Sequence, residues 1–281
     1  MSSSAFRKAL HLGPDKESLE LTEDFQPVVL ISRDSVAVLK IQGSSKASEL
    51  SVFEFAYKSN DENWTATVSS VLDSEDFLGT IKNQKPAFWI TDSRMTVVPQ
   101  ALYDPEKAPD NIKLLFENSE ELEVLSESLL TNELTLLTGI PKGIKNKLGQ
   151  NPKNAALPLL DQSFMQSSNA SNVSVIVENK RFLLVVITGT ELKFCNWFSF
   201  EKAEDLLYFL MATLESLNIL HSEVKFQLSG EVEKGDAVYS CLSKFISKIN
   251  FTKRPKSLSY SYSFSKAAEH RFPLLFAAAC A

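Results

Sequence analysis

The stretch NVSVIVENKRFLLVVITGTELKFCNWFSFEKAEDLLYFLMATLESLNI, residues 172–219, changes rhythm halfway along, and that change decides the fold. NVSVIVEN (172–179) and RFLLVVITG (181–189) are β-branched runs parted by a polar turn at Asn179 and Lys180, the pattern of a hairpin. TELKFCNWFSF follows Gly189 with a rough alternation at Leu192, Phe194, Asn196 and Phe198, and reads as a third antiparallel strand. The period then moves from two to about 3.6. Ala203, Leu206, Leu207, Leu210, Leu214 and Leu217 share one helical face, with Ser199 placed to cap the helix and Glu201 in its first turn. Asn218 can end it in a left-handed conformation. Asn196, Trp197, Phe198 and Phe200 stand where strand becomes helix, so the three aromatic rings are expected to staple the helix end onto the sheet, with Asn196 satisfying local backbone groups. Tyr208, Phe209 and Met211 make the helix apolar on more than one side, which calls for a second surface: the other half of the molecule first, another chain second.

Beyond this stretch the alternation of elements continues. EVKFQLSG (223–230) reads as a strand, DAVYSCLSKFISKI (236–249) as a helix, SLSYSYSF (257–264) as a strictly alternating strand, and AAEHRFPLLFAAACA as a closing helix. The order is three strands, helix, strand, helix, strand, helix, which defines a mixed sheet with helices on both faces. The first half repeats that order. PVVLISRD, SVAVLKIQ and ELSVFEFAYKS are three strands, WTATVSSVLDSEDFLG (64–79) a helix, and PAFWITD (86–92) strand four. Val28 matches Val173 and Ala87 matches Val224, with the longer connection GSSKASE accounting for the drift. After Asp92 comes an insertion rich in proline and acid, then TNELTLLTGIP (131–141) as strand five and NAALPLLDQSFM as a closing helix. QSSNASN (166–172) reads as the linker. The expected organisation is a duplication, with one half over residues 25–165 and the second over 172–281.

Composition narrows the function classes. With 281 residues, 44% hydrophobic and 23% charged, the chain can fill two ordinary globular cores. Its formal net charge of −6 offers no basic field for nucleic acid, and KRPK (253–256) reads as a solvated loop. Cys195, Cys241 and Cys280 are far apart and odd in number, which fits thiols in a reducing compartment. No secretory signal core is read at the N-terminus, and the longest apolar runs are far below the roughly 20 residues that cross a bilayer, so a cytoplasmic location without membrane insertion is expected.

MTVVPQALYD with NIKLLFEN, CNWFSFEKAEDLLYFL, and HRFPLLFAAAC together resemble a bacterial family known as domain of unknown function 3822, over most of residues 25–281. The resemblance implies a duplicated actin-like ATPase fold in which each half is similar to ribonuclease H. The same superfamily holds cytoplasmic actin-like proteins of pilus assembly and type II secretion. It also implies where a nucleotide would sit: between the halves, held by glycine-containing turns whose backbone N–H groups close on phosphates.

The residues at those positions depart from that pattern. The first turn reads SRDSV (32–36), with Asp34 and Ser35 but no glycine. The second reads ENKR, where Lys180 and Arg181 offer charge without an Asp-x-Gly pattern. In LSGEVEKG (228–235), Gly230 follows the strand with no second glycine beside it. Asp34, Ser35 and Gly230 are the candidate cofactor-binding residues, for ATP with Mg²⁺ if any cofactor is used. Asp34, Asp92 and Glu178 lie at strand ends where carboxylates could hold Mg²⁺ near a cleft, but ordinary turn and strand-end polarity is the favoured reading of them. His11, His221 and His270 form no metal-ligand spacing, and His270 is expected to hydrogen-bond at the start of the last helix. No P-loop, dinucleotide fingerprint or nucleophile elbow occurs, and no catalytic residue is assigned. The reading favours a non-catalytic actin-like scaffold or adaptor working through protein partners. A nucleotide-binding switch or weak ATPase is the alternative, and a ribonuclease H-type nuclease, with only Asp34 and Asp92 in the first half, ranks last.

Overall fold

The computed structural model describes residues 6–13, 26–42, 49–60, 62–82, 84–116, 121–130, 133–149, 151–165, 170–258 and 260–281. In the second half, β10 (Ser171–Glu178), β11 (Arg181–Thr188) and β12 (Glu191–Ser199) form the antiparallel meander. Helix α6 (Ala203–Ser216) then crosses to β13 (Lys225–Gly230), which runs parallel to β10. Helix α7 (Ala237–Leu242) leads to β14 (Ile249–Phe251), parallel to β13, giving the order β12-β11-β10-β13-β14. Because β10 and β11 are covered on both faces, their apolar runs are continuous. Val173, Val175, Leu184 and Val186 meet α6 and α7, while Ile176, Leu183, Val185 and Ile187 face the other half.

The first half has the same arrangement with additions. Strands β2 (Val28–Ile31), β3 (Ser35–Gln42) and β4 (Glu49–Tyr57) form its meander, and β5 (Ala87–Ile90) runs parallel to β2. Val28 pairs with Ala87, and Val173 with Phe226 rather than the expected Val224; Val28 faces the shared core and Val173 the helices, so the expected match of Val28 with Val173 is one residue out of step. The expected helix over 64–79 is two, α1 (Trp64–Leu72) and α2 (Glu75–Ile81), because Ser74 in extended conformation caps the second through the Phe77 N–H. A strand before β2, β1 (Phe6–Leu12), extends the sheet beyond β4 and has no counterpart among the described residues of the second half.

Three expectations are corrected. Strand five of the first half is the two-residue β9 (Lys153–Asn154) beside β5, giving β1-β4-β3-β2-β5-β9. Of the run 131–141, residues 131–132 lie outside those described and the rest supply β8 (Leu134–Pro141), the centre of a separate sheet with β6 (Met95–Pro99) and β7 (Leu122–Ser128), joined by α3 (Ala108–Leu115). Helix α4 (Lys142–Leu148) connects β8 to β9, and α5 (Ala156–Met165) closes the half. Second, the helix expected over 236–249 ends at Leu242, and Ile249 belongs to β14. Third, the described residues of the alternating run 257–264, all but 259, form no strand: Tyr262–Lys266 is a 3-10 turn that buries Phe264. The last helix is α8 (Pro273–Ala279). Of the linker read at 166–172, residues 166–169 lie outside those described, as do 43–48 of the connection after β3.

Three main cores result. One lies between the first sheet and α1, α2 and α4, and a second between the second sheet and α6 and α7. The third is shared: Val28, Leu30, Trp89 and Leu160 of the first half pack with Ile176, Leu183, Trp197 and Leu275 of the second. Helix α8 lies against α5, β2 and β3, so the end of the chain helps cover the first sheet.

The aromatic turn at 196–200 divides between two of these cores. Phe198 and Phe200 pack on Phe182 in the helix-side core, as expected, and Asn196 Oδ1 accepts from the Trp197 N–H at 2.9 Å. Trp197 points to the opposite face, into the shared core, with the Arg181 guanidinium 4.9 Å from its ring centre. Ser199 does not cap α6. The Asp205 carboxylate accepts from the N–H groups of Glu201 and Lys202 instead. Asn218 takes the expected left-handed conformation (φ 55°).

Candidate functional site

In each half the parallel strand pair ends on the same side, and the carboxyl ends of β2, β10 and β13 converge on a cavity of about 360 Å³ between the halves. Asp34, Ser35 and Gly230 all line it, together with Glu54, Tyr57, Glu178, Glu231 and Arg271. Asp92 does not line it. The wall carries four carboxylates (Asp34, Glu54, Glu178, Glu231) and three cations (Arg7, Lys58, Arg271).

The turn between β2 and β3 is tied internally. Ser32 Oγ accepts from the N–H groups of Ser35 at 3.1 Å and Asp34 at 3.4 Å, and the Ser32 N–H donates to Ser35 O at 2.8 Å. Ser32 O accepts from Tyr57 Oη at 2.6 Å and Trp64 Nε1 at 3.0 Å. The Arg33 guanidinium rests 4.1 Å from the Trp64 ring centre. Burial raises the Tyr57 phenol well above its usual range, so it stays a donor. The backbone amides that an anion would need here are spent on a hydroxyl of the turn itself.

The opposing turn is tied from outside. Asn179 sits at φ 49°, and its N–H donates to the Glu231 carboxylate at 3.3 Å. Glu231 is 3.6 Å from the Arg271 guanidinium, which also donates to Glu54 at 3.0 Å. Arg271 thus bridges β4 of the first half to the end of β13 in the second. Burial raises the Glu54 carboxyl, and the facing Arg271 offsets part of that rise. Gly230 supports this corner through backbone approach. At φ 91°, a Cβ there would stand 2.0 Å from Val177 O, and its N–H donates to His270 O at 2.8 Å. The space that glycine leaves is taken by Val177.

The other candidates are held in ion pairs. Asp92 is fully buried and receives Arg94 Nε at 2.9 Å and Nη2 at 2.6 Å, with Arg33 at 3.6 Å. Glu178 receives Arg181 at 2.9 Å and Thr91 at 3.3 Å, a contact across the halves. Burial is the main influence on Glu178, raising its carboxyl against the pull of Arg181. Lys180 is exposed beside Glu201. His270 bonds Val232 O at 2.5 Å and stacks on Phe251, so it fixes the β13 exit rather than the start of α8. Among the described residues no group of three or more His, Cys, Asp or Glu is placed to hold a metal ion. No helix there is long and apolar enough to cross a membrane.

Sequence reasoning missed Glu54, Glu231 and Arg271. Glu54 had a signal: it shares a strand face with Leu50 and Val52, where a lone charge must find a partner. Arg271 and Glu231 lie in loops without periodicity, and only the folded chain brings them together.

A family model described as a protein of unknown function, DUF3822, matches residues 28–249. The chain belongs to this family. No curated protein matches it. Among solved structures, a Bacteroides thetaiotaomicron protein with an actin-like ATPase fold and unknown function is similar at a TM-score of 0.68 and 18% identity, covering 82% of this chain and 91% of that one. The type IV pilus biogenesis complex PilM-PilN supplies a second likeness, at a TM-score of 0.60 and 10% identity, covering 91% of this chain and 97% of that one. At these identities the likeness shows the fold, and this DUF3822 member has the actin-like ATPase fold.

Proposed function

We propose that the protein is a non-catalytic actin-like scaffold or adaptor, cytoplasmic, working through protein contacts. The observation that carries this reading is the Glu231 carboxylate on the Asn179 N–H, an acid standing where a phosphate-holding turn would leave its amide open. The Ser32 hydroxyl supports it by engaging the amides of the first turn. The likeness to PilM, solved in a complex with PilN, suggests the kind of role, protein docking, by analogy of fold alone. A nucleotide-binding switch is favoured by one observation: Arg7, Lys58 and Arg271 line a cavity between two halves whose angle a ligand would change.

Thermal and urea denaturation with and without Mg-ATP separates the two. A nucleotide at a hundredfold excess over its dissociation constant adds about 2.7 kcal/mol. The scaffold reading expects no change with Mg-ATP or other common nucleotides, and a saturable gain of that size would overturn it.

A further inference from the structure

The second apolar side of α6 does not meet the other half. Tyr208 is 68% exposed. Its ring stands edge-on to half-buried Phe209 at 5.6 Å, and Phe209 stacks on Phe198 at 4.6 Å. Beside these rings runs a groove of about 300 Å³ at the junction of β12 and α6, with Glu201 and Asp205 among its lining and no cation in it. Asp205 is fixed by its two backbone N–H bonds, which also hold its carboxyl below the usual range. Glu201 is paired with Lys180 at 2.5 Å, but both side chains are mostly exposed, so an incoming cation can replace Lys180 at little cost.

We propose that this groove docks a basic, extended segment of a partner protein, placing an arginine or lysine over Tyr208 and against Glu201 and an apolar side chain on Phe209. Aromatic faces and carboxylates together select a cation on an apolar stem, and exposed tyrosine is a frequent interface anchor. The chain's own net charge of −6 argues against a second copy as the occupant. The inference rests on the scaffold reading and gives its partner a chemistry.

The test is selection from a random-peptide display library on the intact protein, with affinities of the enriched peptides then measured by fluorescence anisotropy. Enriched peptides should pair Arg or Lys with an apolar residue. Tyr208→Ala and Glu201→Lys should each weaken them by about tenfold or more, with the melting temperature unchanged. Glu201→Gln should weaken them less than Glu201→Lys and lower the salt dependence. Acidic or neutral peptides, peptides indifferent to both substitutions, or no enrichment would each overturn the groove. None of these results depends on Mg-ATP, so the groove can fail while the scaffold reading stands, and the reverse.

Discussion

Asp92 and Glu231 hold similar places in the two halves: each is an acid just past the strand that runs parallel to the first of its half, and each turns back toward that half's first hairpin. In the first half the acid is sealed. Asp92 is wholly buried between Arg94 and Arg33, and the turn it supports is closed by its own Ser32. In the second half the acid is half open to water, reaches the Asn179 amide directly, and shares Arg271 with Glu54 across the cleft. An acid at this point of the fold is therefore internal structure in one half and a link between halves in the other. The crossovers differ in the same sense: the second half passes from β13 to β14 through α7 alone, while the first builds a whole extra sheet between β5 and β9.

The contrast can be broken most forcefully at the sealed acid. Asp92→Asn leaves two guanidinium groups facing a neutral side chain, one of them almost wholly buried, and should cost about 3–5 kcal/mol in urea denaturation. Glu231→Gln keeps an acceptor for Asn179 and should cost less than about 1 kcal/mol, since its ion pair is exposed. Equal costs at the two positions would erase the distinction. Next in size, Gly230→Ala forces a Cβ onto Val177 O and should cost about 2–4 kcal/mol, whereas Gly189→Ala, at φ 59° in open space, should cost about 1 kcal/mol.

The inserted sheet gives the smallest of the large effects. Glu127 on β7 accepts from the Asn154 N–H on β9 at 2.8 Å, and burial pushes its carboxyl up to about 7. A folded value above the ordinary 4.5 means that the folded state holds this proton more tightly than the unfolded chain does. Its stabilising contribution is full below about pH 4.5 and is lost as pH rises through about 7. Comparing Glu127→Gln with the natural chain across that range should reveal a pH-dependent difference of about 2–3 kcal/mol. Parallel stability curves would remove Glu127 as its source.

The repeated meander and first crossover were legible because both faces of β2, β10 and β11 are buried, which writes long β-branched runs between turn residues. Strand β9 was illegible: two residues carry no period, while the stronger run ending at Pro141 took its place and belongs to another sheet. The alternation over 257–264 misled for a different reason. Tyr260 and Phe264 do face the core, Tyr260 edge-on to both Phe264 and Phe276, but periodicity reports burial of one side and not pairing with a neighbouring strand. Of the cleft, Asp34, Ser35 and Gly230 were visible as strand-end residues, whereas the Arg271 bridge joins parts of the chain too distant for any local pattern to connect.

Helix α8 carries a consequence for how the polypeptide matures. Leu274, Leu275 and Phe276 pack in the core that covers β2 and β3, and Gly13 donates its N–H to Ser263 at 2.7 Å. As the chain leaves the ribosome, the sheet of its first half keeps that side only partly covered, by α5, until these later residues emerge. A nascent chain halted just before Pro273 should therefore engage chaperones through its N-terminal half.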